Sequence, residues 1–141
     1  MLIVIFGESC TGKTTLADRI NTVANAKVYS GKDYLRMAKN EAEAKRLFQE
    51  QLSACVHGDN MIYIIAEREH LTLVPDGAVR ILVTAELETI KTRFAARMHG
   101  SLPAPVAAML EKKHSCFDSE PHDFHVHNGN PDAEEICRSI F

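Results

Sequence analysis

Apolar residues fall along the chain in two alternating rhythms. Leu2–Phe6 is an unbroken apolar run of strand length, the pattern of a parallel strand buried on both faces. Past Lys13 the apolar positions Leu16, Ile20, Val23 and Ala24 recur at helical spacing instead. The rhythm then repeats. A short second strand is predicted over 26–30, and a helix over 42–57 with Ala44, Phe48, Leu52, Cys55 and Val56 on one face. Residues 61–66 read as another buried strand, Pro75-Asp76-Gly77 as a turn, and 79–84 as a fourth strand. The next helix carries Leu87, Ile90, Phe94 and Met98 on one face, Ser101-Leu102-Pro103-Ala104-Pro105 interrupts, and 106–114 is helical again. A fifth strand spans 124–127. The last helix is expected to start with Asn130 as N-cap and Pro131 at its first position, with Asp132, Glu134 and Glu135 in the first turn. Strands alternating with helices predict an α/β chain built on a five-stranded parallel sheet, with ligands at the carboxyl ends of the strands.

Between the first strand and the first helix lies Gly7-Glu8-Ser9-Cys10-Thr11-Gly12-Lys13-Thr14-Thr15. Its spacing is G-x-x-x-x-G-K-[ST], the phosphate-cradling P-loop, in the strand–loop–helix context that its mechanism needs. Gly7 and Gly12 free the backbone to approach an anion closely. Successive N–H groups of the loop, backed by the helix N-terminus, are expected to hold phosphate oxygens. Lys13 is expected to bridge the β- and γ-phosphates of ATP, and the Thr14 hydroxyl to ligate Mg2+, with Thr15 second in line. Glu8 and Cys10 occupy variable positions, Cys10 being either an oxidation-sensitive thiol or a tolerated small residue.

At 141 residues the chain is expected to form one domain with a real core. Its net charge of −3 contains no block of like charge, so neither a nucleic acid nor a membrane surface is the expected partner. No apolar run is long enough to cross a bilayer. Cysteines 10, 55, 116 and 137 show no C-x-x-C pairing and read as free thiols of a cytoplasmic protein. His114, His122, His125 and His127 raise a metal question. His125 and His127 share one strand face, but no cysteine or carboxylate stands at a recognised ligand spacing, so ordinary strand and loop histidines are expected.

A P-loop fixes nucleotide binding and little else. The chain has no [NT]-K-x-D and no D-x-x-G sequence, which argues against a GTPase. Ser30-Gly31-Lys32-Asp33-Tyr34-Leu35-Arg36 resembles the S-T-G-D-x-L-R stretch of adenylate kinases, where the arginine holds the acceptor phosphate; Gly31-Lys32 replaces Thr-Gly. Arg36 offers a guanidinium fork for a phosphate, and Asp33 a carboxylate for a hydroxyl proton or for hydrated magnesium. Arg93 and Arg97, four apart on one helix face, resemble the R-x-x-x-R entering the lid of nucleoside monophosphate kinases and shikimate kinase-like enzymes. There they neutralise charge on the transferring group. Phe124-His125-Val126-His127-Asn128-Gly129-Asn130 resembles the closing strand and base-flanking loop of guanylate and cytidylate kinases, so Asn128 and Gly129 are expected beside the nucleotide base.

The resemblance to P-loop nucleoside and nucleotide kinases implies a single three-layer P-loop NTPase domain over 1–141, with an acceptor-binding segment at about 31–60 and a short lid at about 97–105. It implies an ATP- and Mg2+-dependent phosphotransferase working as a monomer or small homo-oligomer on a nucleoside monophosphate or a nucleoside. Lys13, Arg93, Arg97 and Asp33 are then the catalytic set, and Asp33 and Arg36 the acceptor contacts. The third strand ends Ala66-Glu67-Arg68, where Glu67 is expected to replace the usual strand-end carboxylate and to reach magnesium through water. That departure and the short acceptor segment leave open a regulatory module that binds nucleotide with slow or no hydrolysis.

Overall fold

The computed structural model describes residues 1–141. Its strands are β1 (Leu2–Phe6), β2 (Lys27–Ser30), β3 (Met61–Ile65), β4 (Val79–Thr84) and β5 (Phe124–His127), and its helices α1 (Lys13–Ala24), α2 (Glu41–Cys55), α3 (Leu87–Arg97), α4 (Ala104–Lys113) and α5 (Ala133–Ile140). The sheet is entirely parallel in the order β2-β3-β1-β4-β5, with Leu2 opposite Met61 and Ile3 opposite Val79. β1 is therefore central, and the chain leaves it in opposite directions along the sheet. The crevice at such a switch point opens at the carboxyl ends of the strands, where the P-loop begins.

Every residue of β1 and β3 is buried, because alternate side chains feed two different cores. Leu2, Val4, Phe6, Met61, Tyr63 and Ile65 pack with Ala44, Phe48 and Leu52 of α2. Ile3, Ile5, Ile62 and Ile64 pack on the other face with Leu16, Ala17 and Ile20 of α1 and Ile136 of α5. A third, smaller cluster joins Cys10 of the P-loop to Ala85, Ile90 and Leu110, so α3 and α4 rest on the loop itself. No helix is long and apolar enough to cross a membrane.

Two helix starts differ from expectation. α5 is capped by Asp132, not Asn130: the Asp132 carboxylate accepts from Glu135 N at 3.0 Å. Asn130 is taken up by a tight turn that closes β5, its carbonyl accepting from His127 N and its N–H donating to His127 O. α4 begins at Ala104, two residues before the expected 106, with Pro105 in its first turn, where a missing N–H costs nothing. Two 3-10 helices, Asp33–Met37 and Arg68–Leu73, follow β2 and β3. Each is too short for any hydrophobic period to reveal it.

Candidate active site

The P-loop leaves β1 at Gly7, whose N–H donates to Ile65 O at 3.1 Å and whose missing side chain matters for space. A Cβ there would lie 2.1 Å from Val83 O, so only glycine lets the loop pass across β4. Gly12 has room for a side chain but sits at φ +99, a conformation that only glycine adopts freely. Cys10 is also left-handed, at φ 62, and is held there by its buried packing against α3 and α4.

Lys13 is 7 % exposed, and its Nζ donates to Glu8 O at 2.5 Å. Burial lowers its pKa to about 8; Cys10 and Glu8 push the other way, and Arg97 adds to the lowering. Thr11 Oγ1 donates to the same Glu8 carbonyl at 2.8 Å. In this arrangement the loop satisfies its own lysine with a backbone oxygen. A phosphate oxygen offers the ammonium a better partner, because that bond is between full charges.

Two cavities meet at the loop. The larger, about 520 Å³, runs from Gly12 and Thr15 past Arg93 and Arg97 to Asn128, Gly129 and Asp132, with an apolar wall that includes Leu16, Val126 and Ala133. The smaller, about 210 Å³, holds Ser9, Lys13 and Thr14 and is closed by Ser30, Ile64 and Ala66 at the carboxyl ends of β2 and β3. Cys10, Gly12, Thr15 and Arg97 border both. The Thr14 hydroxyl has no partner within the chain, so it is free to ligate a cation. The fit to Mg2+ is that of one neutral oxygen beside a phosphate cradle. Arg93 donates from Nη1 to Cys10 O at 3.0 Å, which fixes α3 to the loop.

The structure thus brings Gly12, Lys13, Thr14, Thr15, Arg93, Arg97, Asn128 and Gly129 around one continuous space. It does not bring Arg36, Asp33 or Glu67 to either cavity wall. Arg36 is exposed on its 3-10 helix. Asp33 uses Oδ2 to accept from Ser30 N at 2.8 Å, and Glu67 is exposed with its carboxylate 3.9 Å from Lys113 Nζ. The segment 98–103 between α3 and α4 turns at His99 and Gly100, both at positive φ.

His125 and His127 do share a face, and both ring nitrogens meet Thr84 Oγ1 at 2.7 Å. His127 Nε2 faces Glu86 Oε1 at 3.1 Å. Since that carboxylate only accepts, a neutral His127 carries its proton on Nε2, takes the Thr84 hydroxyl proton on Nδ1, and leaves Thr84 to accept from His125. No three of the chain's histidines, cysteines and carboxylates converge on a metal-sized centre. Ser30, Asp132, Glu8 and His114 stand out in the sequence for other reasons, whereas Arg19 and the pairing of Glu8 with His114 are not foreseen there. Ser30, Arg19 and Asp132 come together only through tertiary packing. Glu8 and His114 lie 106 positions apart and signal nothing locally.

No family model and no curated protein matches the sequence. Solved structures do match. Shikimate kinase from Acinetobacter baumannii, in complex with shikimate, superposes with a TM-score of 0.64 at 12% identity, covering 99% of this chain and 89% of that one. A gluconokinase from Sinorhizobium meliloti gives 0.58 at 14% identity, covering 96% and 86%. The YorR protein from Bacillus subtilis, in complex with phosphorylated GDP, gives 0.60 at 18% identity, covering 99% and 93%. At these identities the likeness concerns the fold: the chain has the α/β fold of the P-loop kinases, and its structural neighbours include small-molecule kinases.

Proposed function

We propose that this chain is an ATP- and Mg2+-dependent phosphotransferase that moves the γ-phosphate to a small molecule, a nucleoside monophosphate or a nucleoside. The carrying observation is the meeting of two cavities at the P-loop, with Arg97 bordering both and Lys13 and Thr14 lining the smaller. The larger space fits the base and sugar of a nucleotide, and the smaller, lined by Lys13 and Thr14, its terminal phosphates. The wall of the smaller at Ser30, Ile64 and Ala66 is where an acceptor can approach the γ-phosphate in line. Bound Mg2+ would supply charge neutralisation between the β- and γ-oxygens. The chain's own residues do the rest. The loop N–H groups hold the phosphates, Lys13 exchanges its carbonyl partner for phosphate oxygen, and Arg93 and Arg97 meet charge as it spreads over the moving group. The acceptor oxygen bonds to the γ-phosphorus as the bond to the β,γ-bridging oxygen breaks, releasing ADP; a monophosphate oxyanion loses no proton, and a nucleoside hydroxyl gives its proton to solvent.

The kinase neighbours support this reading by fold. The exposed positions of Arg36 and Glu67 favour a second one, a nucleotide-binding regulatory module without efficient transfer. An ADP-release assay with Mg2+-ATP over a panel of nucleoside monophosphates, nucleosides and small hydroxy compounds separates the two. Turnover with one acceptor class, abolished by Lys13→Ala, is the expected result. Tight ATP binding without release above the water background on any member would establish the second reading.

A further inference from the structure

A carboxylate inside an anion-binding loop is a liability, and this loop has one. The Glu8 side chain is 9 % exposed, and its carboxylate has a single hydrogen-bond donor, His114 Nδ1, 3.0 Å from Oε1. Its own carbonyl, two bonds from the Cα that carries that acid, accepts from Lys13 Nζ. The ammonium that must meet phosphate and the carboxylate that repels it therefore share one residue. A buried charge with one partner calls for a partner of opposite charge. His114, at the end of α4, is 29 % exposed and can exchange its second proton with solvent. We infer that Glu8 and His114 form a proton-linked counter-charge pair in the phosphate site, with His114 protonated when nucleotide is bound.

The inference rests on the nucleotide-binding half of the proposed function and goes beyond it by making that binding take up a proton. The charged and titratable groups around the pair are few. Lys13 faces Glu8 from within the loop, and Lys113, next to His114, is 3.9 Å from Glu67. Arg68 is paired with Glu120 at 2.8 Å. The Cys116 thiol is pushed up first by burial and then by the Glu8 charge, so it stays neutral beside the pair. Of these groups His114 is the one in direct contact with the buried carboxylate, and Lys13, with a pKa of about 8, is the other that changes charge over the working range. Glu8 borders neither cavity, so His114 is a positioning residue that acts through Glu8 and Lys13, not by touching phosphate.

The sign follows from linkage. Incoming phosphate charge favours the protonated imidazole, so binding takes up a proton there. By reciprocity, protonation tightens binding. Affinity is then greatest at low pH and falls as pH rises through the bound-state pKa. Each pKa unit of such linkage is about tenfold in affinity.

Calorimetric titration of the full chain with Mg2+-ADP, at about pH 6 and about pH 8.5 and in two buffers of different ionisation enthalpy, reads this directly. Wild type is expected to take up protons on binding and to weaken about tenfold towards high pH, beyond the titration of ADP itself. His114→Gln should bind with less uptake than wild type, and Glu8→Gln likewise while binding tightly at the higher pH, the remainder belonging to Lys13. Should His114→Gln fail to fold, Glu8→Gln decides: uptake equal to wild type would assign the proton to Lys13 and overturn the pair. Binding with no uptake beyond the ligand's own, or equal uptake in wild type and His114→Gln, would overturn the pair while leaving phosphotransfer intact. Absence of ADP binding at either pH would sink both.

Discussion

Gly7 and Gly12 bracket the phosphate loop for different physical reasons, and substitution tells them apart. At Gly7 the obstacle is an atom: a methyl group would press on Val83 O at 2.1 Å, and β1 and β4 are locked in register beside it. Gly7→Ala is expected to cost about 3 kcal/mol, the scale of overpacking, and to lower the melting temperature of the free protein. At Gly12 the obstacle is a torsion with open space around it. Gly12→Ala should cost about 1–2 kcal/mol in thermal denaturation but lose most ATP affinity by calorimetry, because relaxation turns loop N–H groups away from phosphate. Equal stability losses would show that space, not torsion, governs both positions. The motif spacing made both glycines visible in the sequence, but only the approach of Val83 separates their roles.

Among the elements, α3 gives the clearest test. Arg93 is tethered to Cys10 O while Arg97 stands free between the cavities, so the two arginines, alike in sequence, are not equivalent. Arg97→Ala is expected to lower kcat about a hundredfold with little change in ATP Kd, since its partner is charge that develops during transfer. Arg93→Ala should also weaken binding, because it loosens α3 from the loop. Normal kcat in saturated Arg97→Ala would remove that residue from the reaction. At the other edge of the cavity, Asp132→Ala should cost about 1 kcal/mol in chemical denaturation and Asp132→Asn almost nothing, asparagine capping as well as aspartate. Equal losses would mean that its charge, not its cap, supports α5. Strands β1 and β3 were legible because burial on both faces leaves an unbroken apolar run, and β4 because residues 81–83 keep one past Arg80. The 3-10 helix Asp33–Met37 was not: a motif match located Asp33 and Arg36 but carried no information on which way five residues without a period would turn. Asn130 and Asp132 are both good caps, and only the turn closing β5 decides between them.

For the whole molecule, the charge on Lys13 links the site to global stability. Its pKa of about 8 lies well below the ordinary 10.5, because burial disfavours the ammonium. Between those two values the unfolded chain binds more protons than the folded one, so stability rises with pH over that interval. Below about pH 8 the folded protein bears the full cost of a buried charge, on the order of 3 kcal/mol at ~1.4 kcal/mol per pKa unit. Lys13→Met should therefore melt higher than wild type near neutral pH, and the gap should close as pH approaches 10.5. A gap that is independent of pH would show that the lysine is stabilised in the folded state some other way. ATP should remove the same gap near neutrality by giving the ammonium its counter-charge.

The left-handed Cys10, wedged between the loop and the α3–α4 pair, has a consequence for how motion here can be timed. The residue is buried against Ala85, Ile90 and Leu110 while those helices rest on the loop, so a thiol-reactive dye too bulky for the adjoining cavities is expected to reach it when they lift away. In a Cys116→Ser background, which removes the one partly exposed thiol, the labelling rate at Cys10 becomes a clock for that opening. Peptide mapping distinguishes it from Cys55 and Cys137. Nucleotide that draws α3 onto the loop should slow the clock at Cys10 and leave the other two unchanged. Equal slowing at all three would report general tightening of the chain instead of closure at this hinge.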